Sequence, residues 1–206
     1  RRWIIDDPFM VSGAREYTAG DSMNRIHWQA TARQGKLMVR KNDFTSQLSL
    51  VAVLNIQSVE FEYDRVIDRE RIELGIKAAA TILDRAARLG IPVRLATNGH
   101  TILDDQHMIY SHEACGKEQI GDLLRILAEL ELKNLKDFDN YLDDIAPNIA
   151  NSQVVIITSY MNDKISDIAR YLKQRGNAVK IVVLDYISGV GTLPGDIEIF
   201  ILAGDD

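Results

Sequence analysis

Three short aliphatic runs limit what this chain can become: LSLVAVLNI over Leu48–Ile56, Gln153–Thr158 and Ala178–Leu184. Each is too short and too rich in β-branched residues for a helix. Their near-continuous apolar character, with no alternation of polar residues, is the pattern of a strand covered on both faces. Between such runs lie stripes at helical spacing. Ile72, Ile76, Ala80, Leu83 and Ala87 mark a helix over Arg69–Leu89 that Gly90 stops. Ile120, Leu123, Leu124, Leu127 and Leu130 mark a second over Lys117–Leu132, and a third runs from an Asn162 cap to Gln174 before Gly176. Val93–Thr97 and Ile197–Leu202 complete the strands, and Lys133–Asp144 reads as a connection with a short helix.

Strands alternating with amphipathic helices require crossover connections, and these are right-handed. The expected fold is therefore α/β and Rossmann-like, a mostly parallel sheet with helices on both faces. One antiparallel interruption is expected, a β-hairpin through Asn98-Gly99, the strongest short hairpin signal. Residues 1–19 read as an extended arm. Asp21 or Ser22 caps a short helix over Met23–Gln34, Gly35 suits its end, and Lys36–Arg40 is a connecting strand. The expected division is an N-terminal arm over 1–47, packed on a main domain over 48–206.

With 46% hydrophobic residues among 206, the chain has material for a sizeable core, yet no run approaches the roughly 18 apolar residues of a membrane span. Its one cysteine, Cys115, makes no internal disulfide, and four histidines show no zinc spacing, which fits a reducing compartment. The chain opens Arg1-Arg2-Trp3 without Met or an apolar leader and is expected to be part of something longer. The net charge of −6 divides into +4 over residues 1–41 and −10 over the rest. Such a basic segment points to an anionic partner near that end, a membrane surface among them, while the acidic body argues against nucleic acid.

In open α/β sheets ligands sit beyond the carboxyl ends of the strands. Here those ends read Asn55-Ile56-Gln57-Ser58, Thr97-Asn98-Gly99-His100, Thr158-Ser159-Tyr160 and Asp185-Tyr186. The phosphate-cradling patterns GxGxxG and GxxxxGK[ST] are absent, as are GxSxG, HExxH and CxxC, so no catalytic residue and no cofactor is expected. Cys115 with His112, and Asp104-Asp105 with His107, read as surface and turn chemistry. A denser constellation gathers Arg15, Tyr17, Gly20, Asp21, Arg25, His27, Trp28 and Arg33. Arg25 and Arg33 lie eight apart on one helical face. They could grip a carboxylate or phosphate, which would make Arg25, His27 and Arg33 the site of an anion-binding enzyme or sensor. Alternatively the arginines fasten the arm to the acidic body while Trp28 covers an edge of the core.

These residues carry a resemblance. Gly13-Ala14-Arg15-Glu16-Tyr17-Thr18-Ala19-Gly20-Asp21, continued by Asn24-Arg25-Ile26-His27-Trp28 and Thr31-Ala32-Arg33-Gln34-Gly35-Lys36-Leu37-Met38-Val39, closely resembles the signature of the domain of unknown function 58 family. The resemblance implies a von Willebrand factor A-like domain on the cytoplasmic side of a membrane protein whose transmembrane helices precede it. It also implies a MoxR-type AAA+ ATPase as partner and a non-enzymatic role as adaptor or assembly factor. Von Willebrand A domains often hold a divalent cation through DxSxS after the first strand and an Asp after a later one. This sequence has Asn55, Gln57 and Val59 in the first place and Thr158-Ser159-Tyr160 in the second. Both anchoring carboxylates are replaced, so Asn55, Gln57, Ser58 and Ser159 are expected to be a degenerate metal site that holds no metal.

Overall fold

A computed structural model describes residues 14–18, 26, 28–40, 49–62, 66–184 and 193–203. They belong to two compact units, residues 5–47 and the chain from residue 48 on. In the first, β1 (Ala14–Glu16) pairs antiparallel with β2 (Met38–Arg40), and α1 (Trp28–Gln34) lies between them in sequence. Buried Ile26 and Val39 face each other across an isolated antiparallel bridge. The Thr31 hydroxyl accepts from Met38 N–H at 2.9 Å, and Gly35 takes φ of +66° where the chain turns back.

The second unit begins with β3 (Ser49–Leu54), which feeds α2 (Arg69–Arg88) and then β4 (Val93–Thr97). There follow β5 (Gly99–Thr101), β6 (Ile109–Tyr110), α3 (Lys117–Ala128), β7 (Leu130–Asn134) and α4 (Phe138–Ile145). A 3₁₀ turn at Ala146–Asn148 leads to β8 (Ser152–Thr158), α5 (Asp163–Gln174), β9 (Ala178–Leu184) and β10 (Glu198–Leu202). The main sheet runs β10-β9-β8-β3-β4-β6, parallel throughout except that β6 is antiparallel to β4. Numbered by appearance, the order is 3-2-1-4-5-6, the doubly wound arrangement whose winding reverses between β3 and β8.

The apolar runs dictate this layering. Val51 and Val53 of β3, with Val154 and Ile156 of β8, pack under α4 and α5 through Phe138, Leu142, Ile165 and Leu172. Alternate strand residues point the other way, under α2. There a Cβ on Gly75 would come within 2.8 Å of Leu184 and 3.2 Å of Leu54, so glycine lets the helix ride close to the sheet. Asp68 caps α2 by accepting from Arg71 N–H, and Asn162 caps α5 by accepting from Ile165 N–H at 2.8 Å, as its sequence position predicts.

Three expectations need correction. Asn98-Gly99 is not a tight hairpin turn: β4 finds its antiparallel partner in β6, while β5 leaves the sheet and pairs with β7. The reason is that the Asn98 side chain is buried and engaged by neighbouring loops, which bends the chain out of the sheet. The second helix stops at Ala128, because Leu130 to Asn134 alternate between half-buried and exposed and serve β7. Finally, Ile26 is held in a bridge, so the helix expected over Met23–Gln34 is described only as Trp28–Gln34, residues 23–25 and 27 lying outside the described residues, and Trp28 is 67% exposed.

Candidate functional site

At the winding reversal, beyond the carboxyl ends of β3 and β8, buried polar side chains of the segments after β3, β4 and β8 meet one another and the backbone at Lys136 and Phe138. Asn55, the residue after β3, donates from Nδ2 to Thr158 Oγ1 at 3.0 Å and so spans the reversal. Its Oδ1 accepts from Gln57 N–H at 2.8 Å, a local turn that sends Gln57 inward. Asn98, after β4, accepts from Ile56 N–H at 3.0 Å and donates to the Lys136 carbonyl at 3.1 Å. The Gln57 carbonyl oxygen is the hub. It accepts from Phe138 N–H at 2.6 Å, Asn98 Nδ2 at 3.2 Å and the Tyr160 hydroxyl at 3.4 Å, while its Nε2 faces Asp137 at 3.5 Å. Asn55, Gln57, Asn98 and Thr158 are wholly buried.

A second buried group shapes the loop above. Glu62 accepts from Ser58 N–H and Ser58 Oγ, both at 2.6 Å, and from Ile67 N–H. Ser58 Oγ in turn accepts from Asp68 N–H at 3.1 Å. One carboxylate thereby staples both ends of the 58–67 loop beside the first turn of α2, its charge spread over three donors. The loop points apolar side chains outward: Phe61 is 76% exposed and Ile67 73%, with Val59 less so. Glu60, Asp137 and Asp139 supply negative charge at this end, and Glu60 accepts from Asn162 Nδ2 at 2.9 Å. Burial pushes the Tyr160 phenol well above its ordinary pKa, opposed by its contact with Asn55 and reinforced by Asp139, Asp137 and Glu60.

This chemistry does not fit a divalent cation. Asn55 and Gln57 are neutral amides already engaged in the protein, and the oxygens of Glu62 are taken up by the staple. Among the described residues no three acidic, histidine or cysteine side chains are placed to hold a metal. Nor is Ser58 disposed as a nucleophile, since it is buried and its hydroxyl both donates to Glu62 and accepts from Asp68. The arrangement shapes a surface.

Of the degenerate metal positions, Asn55, Gln57 and Ser58 enter this network, and Ser159 lies buried beside it with its hydroxyl unbonded. The described signature residues belong to the first unit. Arg15 is in β1, Tyr17 donates its N–H to the Leu37 carbonyl at 2.8 Å, and Trp28 and Arg33 are exposed on α1. Gly20, Asp21, Arg25 and His27, with Asp185 and Tyr186, lie outside the described residues. Cys115 is exposed, and Asp104 accepts from Gln106 N–H and His107 Nδ1 in an exposed turn. Sequence reasoning missed Glu62, whose only signal is an acid set directly between two aromatic residues, Phe61 and Tyr63.

The family described as "Protein of unknown function DUF58" matches residues 13–194. No curated protein matches the sequence. Among solved structures, proximal thread matrix protein 1 from the mussel byssus aligns at TM-score 0.45 and 10% identity, over 66% of this chain and 38% of its own length. An aerotolerance-related membrane protein from Bacteroides fragilis aligns at TM-score 0.43 and 11% identity, over 72% of this chain and 77% of its own. Both likenesses are too remote to say what this chain does.

Proposed function

The chain belongs to the DUF58 family of proteins of unknown function, and from that premise we propose that it is a non-enzymatic protein-interaction domain that docks a partner on its carboxyl-end loops. One observation carries the reading: the stapled 58–67 loop holds Phe61 and Ile67 exposed above a buried polar network whose groups are spent on one another. Exposed apolar and aromatic side chains are the kind of anchor that concentrates binding energy at interfaces once a partner covers them. The partner proposed is a MoxR-type AAA+ ATPase, which the signature over residues 13–39 implies. By the same implication the whole protein is membrane-associated, with this domain in the cytoplasm. No helix among the described residues is long and apolar enough to cross a membrane.

The test is capture from native host lysate, with ATP and Mg²⁺ present, on the wild-type chain and on Phe61→Asp/Ile67→Asp. Recovery of an AAA+ ATPase by the wild type and its loss with the folded variant is the expected result. Equal recovery by both would refute docking at this loop.

A further inference from the structure

The opposite end of the main sheet carries a cluster of polar residues. Ser49 opens β3 and Ser152 opens β8, directly opposite each other in register. Arg94, the second residue of β4, sits opposite Val51, and Tyr110 of β6 sits opposite Ala96. All four lie on the sheet face that α4 and α5 cover further along. Because α4 ends at Ile145 and the Ala146–Asn148 turn leads straight back to β8, the amino end of this face keeps a cleft of about 130 Å³. Ser49, Arg94, Tyr110, Glu113, Asn148 and Ser152 line it. The Arg94 guanidinium is half-buried there, with the Glu113 carboxylate beside it.

The hydrogen bonds show what the cleft offers. Arg94 Nη1 donates to the Tyr110 hydroxyl at 3.3 Å, its carbon lies 5.7 Å from that ring's centroid, and Nη2 lies 3.5 Å from Glu113. The guanidinium is thus fixed in place with donors to spare, and the Tyr110 hydroxyl, having accepted, retains its proton. Ser152 Oγ donates to the Ala150 carbonyl at 2.9 Å, so in the 3.0 Å contact between the serines it is Ser49 that donates, keeping its lone pairs. The cleft thus offers spare donors on Arg94 and Tyr110 and spare acceptors on Glu113 and Ser49.

Arg94 and Glu113 cancel each other's charge. A ligand of single charge would bring in a charge the half-buried pair cannot offset, whereas a dipolar one leaves the cleft balanced. The cleft has room for a small molecule only. We propose that this cleft binds a small zwitterion of the α-amino-acid type, its carboxylate on Arg94 and Tyr110 and its ammonium toward Glu113 and Ser49. The proposal stands apart from the docking loop, which lies at the other end of the strands.

The test is titration of the ¹⁵N-labelled chain with glycine and L-alanine, and separately with sodium acetate and methylammonium chloride, at constant ionic strength, followed by amide and arginine side-chain NMR. Saturable shifts at Ser49, Val51, Arg94 and Ser152 with the amino acids, at millimolar concentrations, are expected. Acetate and methylammonium should bind at least about five-fold more weakly. Arg94→Gln should abolish the shifts, and Tyr110→Phe, which removes one hydroxyl and leaves the ring packing, should weaken them several-fold while the spectrum keeps its dispersion. The proposal is overturned by the absence of saturable shifts with either amino acid, by acetate binding as tightly as glycine, or by a folded Tyr110→Phe that binds like the wild type.

Discussion

Replacing Gln57 probes the carboxyl-end network at its hub. Its carbonyl oxygen is the acceptor for Phe138 N–H and the Tyr160 hydroxyl, while Asn98 Nδ2 keeps a second acceptor in the Lys136 carbonyl. Gln57→Met fills nearly the same volume but cannot accept those bonds, so two donors lose their partner in a fully buried site. At about 1–3 kcal/mol for each orphaned buried donor, the cost is about 2–6 kcal/mol, a large part of the roughly 5–15 kcal/mol that holds a domain together. Gln57→Ala loses the same bonds and leaves a cavity polar enough to admit a water that replaces part of them. It should therefore cost no more than the Met variant, which reverses the usual order for a buried position. Urea unfolding followed by circular dichroism measures both, with midpoints shifted and the slope unchanged. A Gln57→Met variant within about 0.5 kcal/mol of the wild type would refute the reasoning.

Glu62→Ala frees Ser58 and Ile67 from their shared acceptor and should destabilise the chain by about 2–4 kcal/mol, with the largest gains in hydrogen exchange confined to residues 58–68. Tyr141 and Tyr160 both have folded pKa values raised above the ordinary 10.0, by burial first of all. The neutral phenol is the form the fold favours, so their contribution to stability is complete below pH 10 and is lost as pH rises through the folded values. Alkaline difference absorbance should show Tyr141 and Tyr160 ionising late, together with unfolding. Millimolar Mg²⁺ or Mn²⁺ should leave the melting temperature of the wild type unmoved, since the donors at the reversal are spent on one another. A rise of several degrees that Asn55→Ala abolishes would contradict this reading.

Much of the fold was legible because it rests on periodicity. Covered strands show as unbroken aliphatic runs, and caps such as Asn162 show as side-chain oxygens before a stripe. What was missed depended on partners distant in sequence. Asn98-Gly99 has the composition of a hairpin, yet Asn98 is claimed by Ile56 and Lys136, each about forty residues away. Leu130 fits the stripe of α3 as well as it fits β7, and only pairing with β5 decides between them. The positions at the reversal could be named from the carboxyl-end rule and the family resemblance. Their roles could not, because Gln57 becomes a hub only once Phe138 and Tyr160 have been folded against it. Glu62 was invisible for the same reason: a buried carboxylate and a solvated one are the same letter.

Site-specific photo-cross-linking measures the central claim most directly. A benzophenone side chain in place of Phe61 in the whole protein, in its native host, should form an adduct with an AAA+ ATPase, and the same group in place of exposed Leu103, on the β5–β6 connection, should not. The ATPase adduct appearing from Leu103 and not from Phe61 would contradict docking at the carboxyl-end loop.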